Sequence, residues 1–333
     1  LDKKGIASGG SGAAGAFVSP KIGKGSPLQT LTNESFNFAK AFYLSTCPTL
    51  FYQTGVIRIP KDEEDAKNFS AYEPFNENKY INYNKEQLEE LGVDVEFESF
   101  YFPEAGVCEA KELCEALLSD IEVLVHEVKQ LRKENGSWCV GDYKAKNIVL
   151  ATGYESDMAD LRYMGIKGTW GTRGDFSSDL ALEVSMHQSM SVSANIDGII
   201  KLGATHEKEV KEVVPCKKEQ ALSLKEKASS MIDTSDLELQ KVFCGMRAGS
   251  KDYFPLVGKV IDVTFMLENY PKITRGEKPK MKYVDNLFVC NGLGGRGFVF
   301  APLMAKILAE CIIEAKEVDV RVNPDRLFLK WCR

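Results

Sequence analysis

The densest chemical signal in the chain is Asn291-Gly292-Leu293-Gly294-Gly295-Arg296-Gly297, which follows the apolar run Leu287-Phe288-Val289-Cys290 and leads into a helix expected from about Pro302 to Ala315. A strand feeding a glycine loop and then a helix brings free backbone N–H groups and a positive helix end to one point, which suits an anionic or electron-rich ligand. The same loop also serves simply to close a strand onto a helix; Arg296 within it favours a ligand. Ala151-Thr152-Gly153 ends a second apolar run, Ile148-Val149-Leu150-Ala151. It reads equally as a tight exit from a sheet or as another ligand loop, because ligands in open α/β folds sit at the carboxyl ends of strands. A third stretch, Cys244 to Gly258, combines Arg247 with small residues and Asp252. Arginine grips a carboxylate with two parallel hydrogen bonds, yet a surface Arg247 paired with Asp252 is the simpler reading of these residues alone. His126, His187 and His206 read as structural, and no Ser-His-Asp order or nucleophile elbow is present.

The elements that must hold these residues show in the periodicity. Gly5, Gly9, Gly10, Gly12, Gly15, Gly23 and Gly25 crowd the opening segment, and the apolar Ala13 to Val18 argues for close backbone approach rather than a tail. Leu28 to Leu44 and Glu109 to Ser119 read as helices, with apolar residues recurring at three- and four-residue spacing. Ile121 to Val125 and Val128 to Leu131 read as short strands, followed by a turn at Glu134-Asn135-Gly136 and a return at Trp138 to Tyr143. Ile148 to Ala151 is expected as a central parallel strand buried on both faces. Between Gly165 and Phe265, alternating stretches and a charged helix near Glu219 to Met231 predict an antiparallel sheet with helices on one side.

Composition bounds the rest. A chain of 333 residues that is 44% hydrophobic can form two packed domains. Its net charge of −6 disfavours indiscriminate adhesion to nucleic acid or an anionic membrane, so any RNA contact must be a local patch such as Lys272, Arg275, Lys278, Lys280 and Lys282. The nine cysteines lack metal-ligand spacing and read as reduced thiols of a cytoplasmic protein. No membrane span and no signal peptide are expected.

Taken together, "IVLATG" (148–153), "KLGATHE" (201–207), "GMRAGSKDYFPLVG" (245–258) and "NLFVCNGLGGRGFVFAPL" (286–303) resemble, in order, the landmarks of the FAD-dependent D-amino-acid-oxidase-like oxidoreductases. The opening, Ala7 to Phe42, more specifically resembles the oxidoreductase domain of the MnmC branch of bacterial tRNA-modifying enzymes. The resemblance implies an α/β fold: a Rossmann-like FAD-binding domain from about 1–42, 103–160 and 286–333, and an α+β antiparallel-sheet substrate domain from 43–102 and 161–285. The family's first FAD-binding βαβ unit, with its G-x-G-x-x-G turn, has no counterpart after Leu1. By resemblance, Ser8, Gly9, Gly12, Ala14, Gly15, Val128, Ala151, Thr152, Gly153, Gly292, Gly294, Gly295, Arg296 and Gly297 line a non-covalently bound FAD, and Arg247 anchors a substrate carboxylate. The implied reaction removes the carboxymethyl group from 5-carboxymethylaminomethyl-(2-thio)uridine of tRNA. Molecular oxygen is the implied acceptor and a fused or associated methyltransferase domain the implied partner. A glycine- or sarcosine-type oxidase and a flavin-free RNA-binding or partner module are the alternatives.

Overall fold

In a computed structural model, the chain is described over residues 1–333 except 156, 157, 209 and 211. Two sheets carry the architecture. The smaller is three-stranded: Ile148–Leu150 runs parallel to Tyr283–Asn291, which pairs antiparallel with Leu256–Ile261 on its other side. Leu256–Ile261, from the stretch assigned by sequence to residues 161–285, thus hydrogen-bonds to a strand of the 286–333 stretch. Ile148–Leu150 is parallel as expected but lies at the edge, with Val149 41% exposed. A continuous apolar run marks a strand without specifying how many neighbours it has.

The helices Pro27–Thr46 and Gly297–Ile313 pack beside this sheet, where Leu31, Phe300, Met304 and Leu308 meet Val257 and Phe288. Helix Gly297–Ile313 starts five residues earlier than its sequence pattern predicts and contains Pro302. Proline cannot donate to the carbonyl four residues back, here that of Phe298. The buried Tyr43 hydroxyl, from helix Pro27–Thr46, donates to that carbonyl at 2.8 Å. The interhelical bond lets the helix run through its proline to the glycine loop.

The larger sheet has eight strands, with Glu238–Gly249 at one edge beside Lys167–Ser177. Its pairings are antiparallel except where Ser185–His187 lies parallel to Val56–Arg58. Helix Lys218–Ala228 covers one face, burying Leu224 and Ala228 against Phe176, Ile200 and Leu202. A third small sheet, Arg132–Glu134, Ser137–Val140 and Tyr143–Ala145, turns at Asn135 and Gly136, both at positive φ. The strands expected at 121–125 and 128–131 do not form. Leu124 and His126 pair instead with Asp2 alone, because β-rich composition cannot make a strand without a neighbour to complete the ladder.

One cysteine expectation is corrected. Cys216 and Cys244 form a disulfide and the other seven are free. The segment after strand Ile199–Gly203 returns beside Glu238–Gly249 and brings the two Cα atoms to 5.6 Å. With a sequence separation of 28, no local spacing signals the pair.

Candidate functional site

The parallel register of Leu150 with Val289 puts the two strand ends side by side. Asn291 closes the gap between the loops that follow: its Nδ2 donates to the Gly153 carbonyl at 2.7 Å, while its Oδ1 accepts from Gly292 N–H at 2.7 Å. Gly292 and Gly294 both adopt positive φ, which a side chain disfavours. Gly294–Arg296 forms one tight turn that runs directly into the long helix opened by Gly297, which has no side-chain cap. Leu293 bridges to Gly249, and a side chain on Gly295 would stand 3.8 Å from Arg247 Cδ.

The opening glycines reach the same place from the other direction. A Cβ on Gly10 would lie 2.6 Å from the Met246 carbonyl oxygen, and one on Gly245 2.9 Å from the Gly10 Cα. The two backbones touch only because neither residue has a side chain. Gly12 rests on the Ala7 carbonyl, Gly15 on the Phe17 ring, and the Ala14 carbonyl accepts from the Arg173 guanidinium. Ser8 N–H donates to the Gly5 carbonyl at 3.3 Å. Half-buried Val128 adjoins Glu127, which shares Lys3 with Glu155, at 3.0 and 3.6 Å. Ser8 to Gly15 and Gly292 to Gly297 therefore both converge on the strand around Arg247, with Ala151 to Gly153 beside the second loop. No contact joins Val128 to these loops among the described residues.

Arg247 is cross-strand from Thr169 and donates from Nη1 to the Thr205 carbonyl at 3.1 Å. Among the described residues no carboxylate pairs with it; Asp252 is instead held by Arg326, through two contacts of 2.9 Å. Burial lowers the affinity of the Arg247 guanidinium for its proton, and nothing nearby offsets this. A desolvated cation without a counter-charge is costly unless a ligand supplies the anion. His206, its affinity for a proton lowered by burial and then by Arg247, lines an adjoining cavity of ≈ 640 Å³ with Thr205, Glu207, Gln220, Met190 and Lys227. The sequence reading treated His206 as structural, and its place on the cavity follows from the loop after Gly203, which has no periodicity to read.

The site fits a flavin. Positions where a Cβ would stand on Gly9, Gly153 and Gly297 meet nothing within 4 Å, so open space adjoins all three loops. The Thr152 hydroxyl is buried with no hydrogen-bond partner, as expected of a group awaiting a ligand.

The chain is 24% identical over 325 residues to the tRNA 5-methylaminomethyl-2-thiouridine biosynthesis bifunctional protein MnmC of Campylobacter concisus, covering 93% of this chain and 51% of that one. It is 26% identical over 260 residues to the protein of the same name from Methylobacillus flagellatus, covering 72% and 40%. The chain thus spans about half the length of these curated relatives or less. Its fold resembles glycine oxidase from Geobacillus kaustophilus, with a TM-score of 0.74 at 18% identity over 95% of this chain and 88% of that one. L-proline dehydrogenase from P. horikoshii is similar too, with a TM-score of 0.73 at 15% identity over 100% and 88%. The family model described as FAD dependent oxidoreductase (DAO) matches residues 1–311, and with its glycine loops gathered around Arg247 the chain belongs to that family.

Proposed function

We propose that this chain oxidises the glycine-like side chain of 5-carboxymethylaminomethyl-(2-thio)uridine in tRNA, releasing glyoxylate and leaving 5-aminomethyl-(2-thio)uridine. The observation that carries the reading is Arg247: a half-buried guanidinium, with no acidic partner among the described residues, beside the glycine loop. Arg247 would hold the carboxymethyl carboxylate and so fix the direction of the adjacent C–H bond, an orientation effect. Ser8 to Gly15, Val128, Ala151 to Gly153 and Gly292 to Gly297 would hold FAD without a covalent bond. When bound, FAD supplies hydride acceptance from that carbon, after which water releases glyoxylate from the substrate's C=N bond. The positive end of the helix that opens at Gly297 favours negative charge at that end of the site. No side-chain base is needed if the amine binds neutral.

Molecular oxygen is the proposed final acceptor and the cytoplasm the proposed compartment. The similarity to bifunctional proteins supports a methyltransferase partner, fused or associated. The exposed Lys272, Arg275, Lys278, Lys280 and Lys282 are proposed to meet tRNA phosphates. The FAD-binding unit is proposed to comprise 1–42, 103–160 and 286–333, with strand Leu256–Ile261 joined to it by hydrogen bonds. No helix among the described residues is long and apolar enough to cross a membrane.

The test is glyoxylate release from carboxymethylaminomethyl-modified tRNA by flavin-loaded protein, run beside glycine and sarcosine. Faster turnover of the free amino acids would replace the tRNA reading with an amino-acid oxidase. A colourless protein that cannot be loaded with FAD would end the enzymatic reading.

A further inference from the structure

The Cys216–Cys244 disulfide lies on the reverse of the strand that carries Arg247. Cys244 and Arg247 both belong to Glu238–Gly249, whose register with Lys167–Ser177 is unbroken between them. Side chains alternate along a strand, so residues three apart point to opposite faces. Gly245 and Arg247 face the opening glycines and the Gly295 loop, and Cys244 faces the other way. Glu238–Gly249 is an edge strand with a neighbour on one side only, so the disulfide is its second, covalent hold. At the other end of the bond, Cys216 stands just ahead of helix Lys218–Ala228. The N-cap residue of that helix, Lys217, supplies no side-chain hydrogen bond. A helix of 11 residues without a cap frays at its first turn. The bond to Cys244 fixes where this one begins.

A continuous set of hydrogen bonds runs from that first turn to Arg247. Gln220 Nε2 donates to Glu207 Oε1 at 2.7 Å, and Gln220 Oε1 accepts from the Thr172 hydroxyl at 2.7 Å. The Thr205 hydroxyl accepts from Thr172 N–H at 2.9 Å and donates to Glu207 Oε1 at 3.4 Å. The Thr205 backbone carbonyl is the group that accepts from the Arg247 guanidinium. The disulfide therefore holds Arg247 by two routes, through the strand that carries it and through the helix, Gln220, Glu207 and Thr205. Cys216 is exposed and Cys244 half-buried, whereas the other seven cysteines are free thiols. Exposed disulfides are the labile and regulatory ones, because a thiolate can reach the sulfur. In the reducing compartment proposed above, such a bond exchanges with the surrounding thiols.

We propose that Cys216 and Cys244 form a redox switch on carboxylate binding at Arg247: joined, they hold the anchor in place, and reduced, they release it. The proposal rests on the reading of Arg247 as the carboxylate anchor. Its partner is a dithiol reductant. One thiolate of the reductant attacks Sγ of the exposed Cys216, the S–S bond breaks, and Cys244 leaves as a thiolate that takes up a proton. The second thiol of the reductant then displaces Cys216 from the mixed disulfide, and Cys216 is protonated in turn. Two electrons and two protons have passed to the protein, and the reductant leaves as a disulfide. With the bond open, the first turn of helix Lys218–Ala228 frays and Gln220 no longer fixes Glu207. The Thr205 carbonyl then loses its set position, and Arg247 keeps its charge but not its direction.

The flavin-loaded protein, compared before and after treatment with dithiothreitol, tests it. Acetate, the simplest carboxylate probe, is titrated while the flavin absorbance is followed. Reduction should weaken acetate binding about fivefold or more, the lower end of ordinary coupling between two sites, with the flavin retained. KM for modified tRNA should rise by a similar factor. Cys216→Ser/Cys244→Ser should bind acetate as the reduced protein does and no longer respond to dithiothreitol. A disulfide that serves stability alone would lower the melting temperature on reduction and leave acetate affinity unchanged, and that result overturns the switch. Flavin lost on reduction, or a dithiothreitol response that survives in the double variant, also overturns it. Acetate affinity that follows the disulfide in a protein inert towards modified tRNA keeps the switch and ends only the tRNA substrate. No acetate binding in either state ends the anchor reading of Arg247 and the switch with it.

Discussion

Arg247 and Asp252 are five residues apart, and in sequence each is the obvious partner of the other. The fold separates them: Asp252 faces Arg326, and Arg247 turns to a backbone carbonyl. A charged hydrogen-bonded pair truncated on one side costs ~2–5 kcal/mol, so Arg247→Ala should reduce kcat/KM for modified tRNA by roughly thirtyfold or more. Arg247→Lys should restore little, since an ammonium lacks the planar fork. Flavin content measured in the same samples should stay near normal. Full activity in Arg247→Ala sinks the carboxylate assignment, and flavin lost together with activity makes Arg247 a cofactor or folding residue.

Two contacts between elements can each be tested without an activity assay. Tyr43→Phe leaves the Phe298 carbonyl with neither a helical donor nor a hydroxyl, and should cost about 1–3 kcal/mol in urea unfolding. Pro302→Ala restores the missing N–H, so the double variant should be less destabilised than Tyr43→Phe alone by more than about 0.5 kcal/mol. Simple additivity of the two changes would mean that Tyr43 acts only through packing. The second contact is Arg326, from helix Asp325–Trp331, on Asp252. Burial raises the Asp252 carboxyl, but hydrogen bonds and charge from Arg326 outweigh it and hold the group below its ordinary value. A carboxylate with a depressed folded value contributes stability above its unfolded value of about 4 and loses it as pH falls through the folded one. Arg326→Met should therefore cost roughly 1–2 kcal/mol at neutral pH after solvent screening, and much less near pH 2. A cost independent of pH would assign the effect to the aliphatic stem.

Across the whole molecule, charge and cysteine chemistry give two further outcomes. With a net charge of −6, tRNA can be held only by local basic patches, and its binding should weaken steeply with salt. Neutralising Lys278, Lys280 and Lys282 to Gln should lower the slope of log K against log salt by roughly two to three if each meets a phosphate. An unchanged slope removes that stretch from the interface. Thiol titration of the unfolded, unreduced protein should count seven of the nine cysteines, because Cys216 and Cys244 are joined. A count of nine would contradict the disulfide.

The helices at residues 27–46 and 110–117 and the turn at Asn135-Gly136 were legible because each is encoded within a few neighbouring residues, by apolar periodicity or by tolerance of positive φ. The strand, glycine loop and helix around residues 283–313 were legible for the same reason, apart from the helix start. At that start the carbonyl of Phe298, which Pro302 cannot serve, is met by Tyr43, a residue more than 200 positions away. Tertiary structure alone decided that 121–131 finds no partner strand, that Ile148–Leu150 lies at a sheet edge, and that Cys216 meets Cys244. It also decided which arginines keep a carboxylate and which do not: Arg326 has one, while Arg247, Arg58 and Arg296 have none among the described residues. Local conformation is set by neighbouring residues, but the partner of a charge is set by which distant strands pack together, and no spacing along this chain records that.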